Sequence, residues 1–185
     1  MEKQLILPEL ILFEEYKGNF ILYNDAVYAI FKNDFVKNKP VFQNKKLSLK
    51  SHPLIDGKEY TYYHFTHSGN IENERIPDLR RMERIGFPKP MIELSHNKNL
   101  KVWRNKRGTH ERILILYEKE RYLVILEDRK NYILPWTAYL IKDNSRIRRL
   151  LIEYQCYIKN KDRFDTTPFL LYRLGNEICK DTIFF

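Results

Sequence analysis

The sequence predicts an α+β fold, with an antiparallel meander of about four strands packed by helices. Three observations carry that expectation. Apolar residues recur at helical spacing in the first hundred positions. From about Leu100 the pattern becomes short apolar runs separated by brief polar turns. After Lys142 helical spacing returns.

Taken in order, residues 5–13, LILPELILF, form an apolar arm that should pack onto the body. Asn24 or Asp25 is the expected cap of a helix running to about Val36, with Val27, Ile30, Phe31 and Phe35 as its buried stripe. Residues 40–49 suit a hairpin turning at Gln43–Lys46, and Asp56-Gly57 is a turn signal. Residues 58–69 are ambiguous. Their β-branched and aromatic content suits a strand, yet Tyr60, Tyr63, His64 and His67 fall at i, i+3, i+4 and i+7. The helical reading is favoured, with both histidines on one face and Gly69 ending it. Pro77 and Asp78 then open a short helix, PDLRRMERI, in which Arg80 and Arg84 share a face and Leu79 and Met82 pack inward. The tract GFPKP breaks it.

The strands are LKVW, RILILYE, YLVILED and NYILPWTAYLI. YLVILE is apolar on both faces and belongs near the centre. Pro135 cannot donate to a ladder, so the last strand bulges there or lies at an edge, re-aiming Thr137 and Tyr139. Asn144 or Ser145 should cap a helix over 143–159. The whole is expected to be one domain over 1–185: an N-terminal arm and helical extension over 1–58, a core over 59–158 and a C-terminal arm over 159–185.

Composition narrows the function. A net charge of +9 favours an anionic partner, nucleic acid first. Thirteen tyrosines and eleven phenylalanines offer rings for bases, although most rings serve a core. Two cysteines, Cys156 and Cys179, make neither a disulfide framework nor a zinc site, so free thiols in a reducing cytoplasm are expected. No run approaches the roughly 18 apolar residues of a membrane span, and no signal peptide or membrane partner is expected. No Gly-rich phosphate loop or metal-nuclease carboxylate cluster is apparent, so no cofactor or metal is expected.

The stretch from His64 to Arg84 carries the chemistry. His64 and His67 can move protons near neutral pH, and Arg75, Arg80, Arg81 and Arg84 can hold a phosphate. These are the parts of a metal-independent RNA-cleaving site, and equally of a solvated basic helix. Arg75 and Arg81 also have ion-pair partners within reach in Glu72, Glu74 and Glu83.

The segments IPDLRRMERIGFPKPMIE, KVW and YLVILEDRKNYILPWTAYLI resemble the phage-associated branch of the barnase–EndoU–colicin–RelE (BECR) superfamily. The likeness covers about residues 60–158, and the Thr-Ala-Tyr ending is its most specific part. It implies a BECR-like core over 59–158 and a metal-independent endoribonuclease of toxin or phage-conflict type. His64 would be the acid–base group, Arg80 and Arg84 would face the phosphate, and Thr137 and Tyr139 would hydrogen-bond the substrate. His67, Arg81, Arg107, Arg112 and Trp103 would line the RNA path. The partners implied are RNA (tRNA, mRNA or rRNA) and an antitoxin or immunity protein. The alternative is a non-catalytic RNA- or protein-binding module in a phage-defence or toxin–antitoxin system. A protein-docking reading would use PFLLY and the terminal TIFF. An open cleft bringing His64 within reach of two arginines favours the enzyme; a buried or salt-bridged His64 favours the binder.

Overall fold

The computed structural model describes residues 4–164. The chain divides into two compact units, one ending at Leu140 and one beginning at Ile141. PFLLY, TIFF and Cys179 lie outside the described residues.

In the first unit the arm packs through Leu5, Leu7, Leu10 and Ile11, and Ile11 N–H donates to the Glu83 carbonyl at 3.1 Å. Helix α1 (Phe20–Phe31) starts earlier than expected, because the Asn19 side chain accepts from Leu22 N–H and caps it there. Its buried positions are Tyr23, Val27 and Phe31. A π-type segment, Lys32–Lys37, continues it and buries Phe35. Phe31 packs at 5.3 Å on Phe35 and on Tyr62, and Phe35 at 5.3 Å on Phe65. Such ring pairs contribute about 0.5–1.5 kcal/mol each beyond the area they bury.

The expected hairpin is present as β1 (Val41–Phe42) and β2 (Lys45–Lys46). Gln43 and Asn44 turn it at φ 46° and 66°. Residues 60–66 form helix α2 (Tyr60–Thr66), as favoured, but His67 lies outside it. The Thr66 hydroxyl donates to the Tyr62 carbonyl at 2.8 Å. His67 and Ser68 then become strand β3 (His67–Ser68), paired with β4 (Ile76–Pro77). The two histidines therefore do not share a helical face, and Gly69 is not the helix end.

Asp78 caps the one-turn helix α3 (Leu79–Met82) by accepting from Arg80 N–H at 3.1 Å. Met82 and Ile85 are buried, whereas Leu79 is exposed. GFPKP does not merely break a helix. Pro88 opens α4 (Pro88–Glu93), where proline's fixed φ suits the first turn.

The meander is as expected: β5 (Leu100–Arg107), β6 (His110–Tyr117), β7 (Tyr122–Asp128) and β8 (Ile133–Leu140), adjacent in that order. β5 and β6 run further into RNKRGTHE than the apolar pattern indicated, and Gly108 turns the hairpin at φ 61°. Tyr122 to Glu127 are all buried. One sheet face, with Ile113, Ile115, Val124, Leu126 and Ala138, joins the core shared with α1, α2 and α4. The register sets the other face. Trp103, Leu114, Ile125 and Thr137 form one cross-strand row. Asn105, Arg112 and Glu127 form the next on one side, and Lys101, Leu116, Leu123 and Tyr139 on the other. The bulge falls where Pro135 predicted. Ile125 pairs with Thr137 and Leu126 with Pro135, so Trp136 is the extra residue.

The second unit contains α5 (Asn144–Phe164). Its start is held by Asp143, which accepts from Ser145 N–H at 2.7 Å, one residue before the expected caps. No described helix is long and apolar enough to cross a membrane.

Candidate RNA site around His64 and the edge strand

The site forms where α2 meets β8. Arg81 is its joint: one guanidinium nitrogen donates to the His64 carbonyl at 3.2 Å and to Thr137 Oγ1 at 3.0 Å. The Thr137 hydroxyl also donates to the His64 carbonyl, at 3.2 Å. A Thr-to-carbonyl bond thus fastens the edge strand to the helix, and the Pro135 bulge re-aims Thr137 to make it. Arg81 stands over the Tyr139 ring at 5.2 Å, with Asp78 at 3.7 Å behind it. Burial pulls its pKa below the usual arginine range.

His64 is buried and its ring is hemmed in. Nδ1 lies 3.1 Å from an Arg75 guanidinium nitrogen, and Nε2 lies 2.9 Å from Glu72 Oε1. Arginine only donates, so Nδ1 must present its lone pair and Nε2 must carry the proton. The Glu72 approach is close but off the hydrogen-bond line. Burial, above all, pushes the His64 pKa down to about 4. The Glu72 charge opposes this, while Arg75 and Lys50 reinforce it. His64 is therefore neutral at pH 7.

Glu72 is itself clamped. Arg75 pairs with it at 3.1 Å, the Tyr60 hydroxyl donates to Oε1 at 2.7 Å, and the Tyr63 hydroxyl donates to its carbonyl at 2.8 Å. Burial raises its pKa, but the Tyr60 bond and the His64 and Arg75 charges outweigh that and lower it.

Three cation–ring pairs surround this cluster. Lys50 Nζ sits 3.8 Å over Tyr60, Arg112 5.7 Å over Trp136, and Arg81 over Tyr139. Tyr60 and Trp136 in turn flank the His64 ring at 4.7 and 5.0 Å. Lys50, Tyr60, His64, Pro135 and Trp136 line a small crevice here. Burial, then the neighbouring Arg107 charge, lowers the pKa of Arg112.

Of the expected site residues, His64, Arg81, Thr137 and Tyr139 converge, and Arg112 joins them through Trp136. Arg80 and Arg84 do not. Arg80 is exposed, and Arg84 bonds the Arg80 carbonyl and Glu83 at 3.1 and 3.0 Å. The single turn capped by Asp78 aims Arg81, the residue between them, at His64. His67 rests on Tyr63 at 4.4 Å, and burial lowers its pKa. Arg107 is exposed, on the sheet face that carries Asn105 and Arg112. Trp103 shares that face but is 1% exposed, so it is a packing residue and no platform for a base. Sequence reasoning missed Trp136, whose only signal was its place beside the bulging proline. The expected Arg75–Glu72 pair is present.

Among the described residues no group of three or more His, Cys, Asp or Glu is placed to hold a metal ion. The chain matches no protein-family model, no curated protein and no solved structure.

Proposed function

We propose that this protein binds RNA, preferring unpaired bases, through the cation–ring pairs that line the edge strand around Thr137. The observation that carries this reading is the triple pairing of Lys50 with Tyr60, Arg81 with Tyr139 and Arg112 with Trp136. Cations beside partly exposed rings suit a phosphate chain with stacked bases, and stacking contributes about 1–3 kcal/mol per base. The net charge of +9 supplies attraction over longer range. An RNA partner, whether tRNA, mRNA or rRNA, accords with a cytoplasmic protein. His64, buried, bonded by Arg75 at one ring nitrogen and closed off by Glu72 at the other, serves in this reading as a support. That is the condition under which the sequence favoured a binder over an enzyme using this histidine.

The second reading is a BECR-like, metal-independent endoribonuclease of toxin or phage-conflict type, with His64 as acid–base group and an antitoxin as partner. The meeting of Arg81, Thr137 and the His64 carbonyl favours it. It requires Glu72 and Arg75 to leave the ring.

The test is binding of a labelled single-stranded RNA by the full chain, with duplex RNA as competitor. Single strands should bind better, and Arg112→Ala and Trp136→Ala should each weaken them. Equal affinity for duplex, or unchanged binding by both variants, would exclude these rings as the contact.

A further inference from the structure

We propose that the outer edge of β5 takes up an extended, acidic segment of another protein as a further strand of the sheet. The inference goes beyond RNA binding and concerns the sheet edge opposite β8.

The two edges are built differently. β8 is closed to a further strand. Pro135 withholds a donor, Trp136 bulges out of the ladder, and Thr137 bonds the His64 carbonyl of α2. Ser48 N–H donates to the Ile133 carbonyl at 2.9 Å. β5 has none of these devices. It has eight residues, no proline, and an unbroken register with β6 from Leu100–Tyr117 to Arg107–His110. Within the first unit no other strand or helix runs along its outer side.

The hairpin turn decides which backbone groups point outward. Only Gly108 and Thr109 separate the paired residues Arg107 and His110, so that pair must exchange hydrogen bonds directly. Alternation along the ladder then turns the backbone groups of Val102, Arg104 and Lys106 away from β6. Leu100, next in that outward series, agrees: its N–H donates to the Asn97 carbonyl at 2.9 Å. Among the described residues no backbone group meets the outward N–H and C=O groups of Val102, Arg104 and Lys106. Donors and acceptors alternating in this way match the edge of an extended strand. A phosphate chain would meet the carbonyls with repulsion.

Charge selects the occupant. Residues 94–110, LSHNKNLKVWRNKRGTH, hold Lys98, Lys101, Arg104, Lys106 and Arg107 and no Asp or Glu. Lys101 is paired with Glu118 and Arg104 with Asp128. Lys106 and Arg107 are exposed and have no ion pair among the described residues. Antiparallel addition of a second copy's β5 would set basic side chains beside basic ones, which is unfavourable. Positive charge therefore guards this edge against its own kind and leaves it open to a strand carrying Asp or Glu. Main-chain bonds would supply affinity there, and carboxylates beside Lys106 and Arg107 the selectivity.

The test uses the full chain and an end-blocked peptide of alternating Glu and Val, as long as β5. Binding is read by fluorescence anisotropy and by amide exchange in NMR. The peptide should bind and add protection at the amides of Val102, Arg104 and Lys106. The same peptide with Lys for Glu, and the Glu peptide N-methylated throughout, should not bind. Lys106→Ala should weaken binding through lost charge. Lys106→Pro should weaken it about 2–10-fold further, through one lost outward N–H, in a position where the β6 ladder keeps its bonds. Equal affinity of Lys106→Pro and Lys106→Ala overturns the proposal. So does binding of the N-methylated peptide, or no added protection at these amides with about 1 mM Glu peptide. Protection of the same amides by single-stranded RNA alone, or by self-association of the chain, also overturns it and gives the edge to that partner instead.

Discussion

Acidification should unfold this protein partly through one buried ring. His64 has its pKa pushed down to about 4 in the fold, chiefly by burial, against about 6.5 for a histidine in an unfolded chain. The unfolded state therefore takes up the proton first, and stability falls as pH drops below about 6.5. Linkage gives a loss of about 2 kcal/mol by pH 5 and about 3 kcal/mol once pH is well below 4. Glu72 acts in the same direction but later: its folded pKa is lowered, so its stabilisation is present above the ordinary glutamate value and lost as pH falls through the folded one. The perturbation is a step from pH 7 to pH 5, applied to wild type and to His64→Gln, which cannot titrate there. The assay is urea unfolding at both values. Wild type should lose about 2 kcal/mol more than the variant. Equal losses would mean that His64 does not titrate out of a buried neutral state. A wild type that gains stability at pH 5 would mean that the Glu72 charge outweighs burial and raises the His64 pKa, reversing the tautomer argument and the support role built on it.

Two further predictions concern packing. Trp103→Ala should cost about 3–5 kcal/mol in urea unfolding and leave RNA affinity per folded molecule unchanged, since Trp103 is buried; weakened RNA affinity in the folded variant would return it to the RNA path. Gly86→Ala should cost about 1–3 kcal/mol, because a Cβ there would meet Pro8 Cγ at 2.8 Å. Adding Pro8→Ala should recover part of that loss, and strict additivity of the two would refute the clash.

The sheet was legible because strands with one or both faces buried declare themselves as apolar runs, and short polar turns leave little choice but a meander. Pro135 announced its bulge for an equally local reason. Helix ends were harder to read. Asn19 caps α1 ahead of Phe20, Ile21 and Leu22, which are exposed and add nothing to a buried stripe. His67 leaves α2 because its partner is Pro77, ten residues on, a pairing no helical period contains. The site was half legible. Residue type named His64 and the family resemblance named Thr137 and Tyr139, but the choice of Arg81 over Arg80 and Arg84 depends on the phase of a one-turn helix. That phase is set by Asp78 and by the contact with β8.

The most direct measurement of the central claim is the salt dependence of single-stranded RNA binding by wild type and Arg112→Ala, read by fluorescence anisotropy. Wild type should bind with affinity that falls linearly on a log–log plot against salt. Arg112→Ala should weaken binding and flatten that slope by about 0.7, the loss of one phosphate contact. Salt-independent binding, or identical slopes for the two proteins, would contradict an RNA-binding face built on arginine-paired rings.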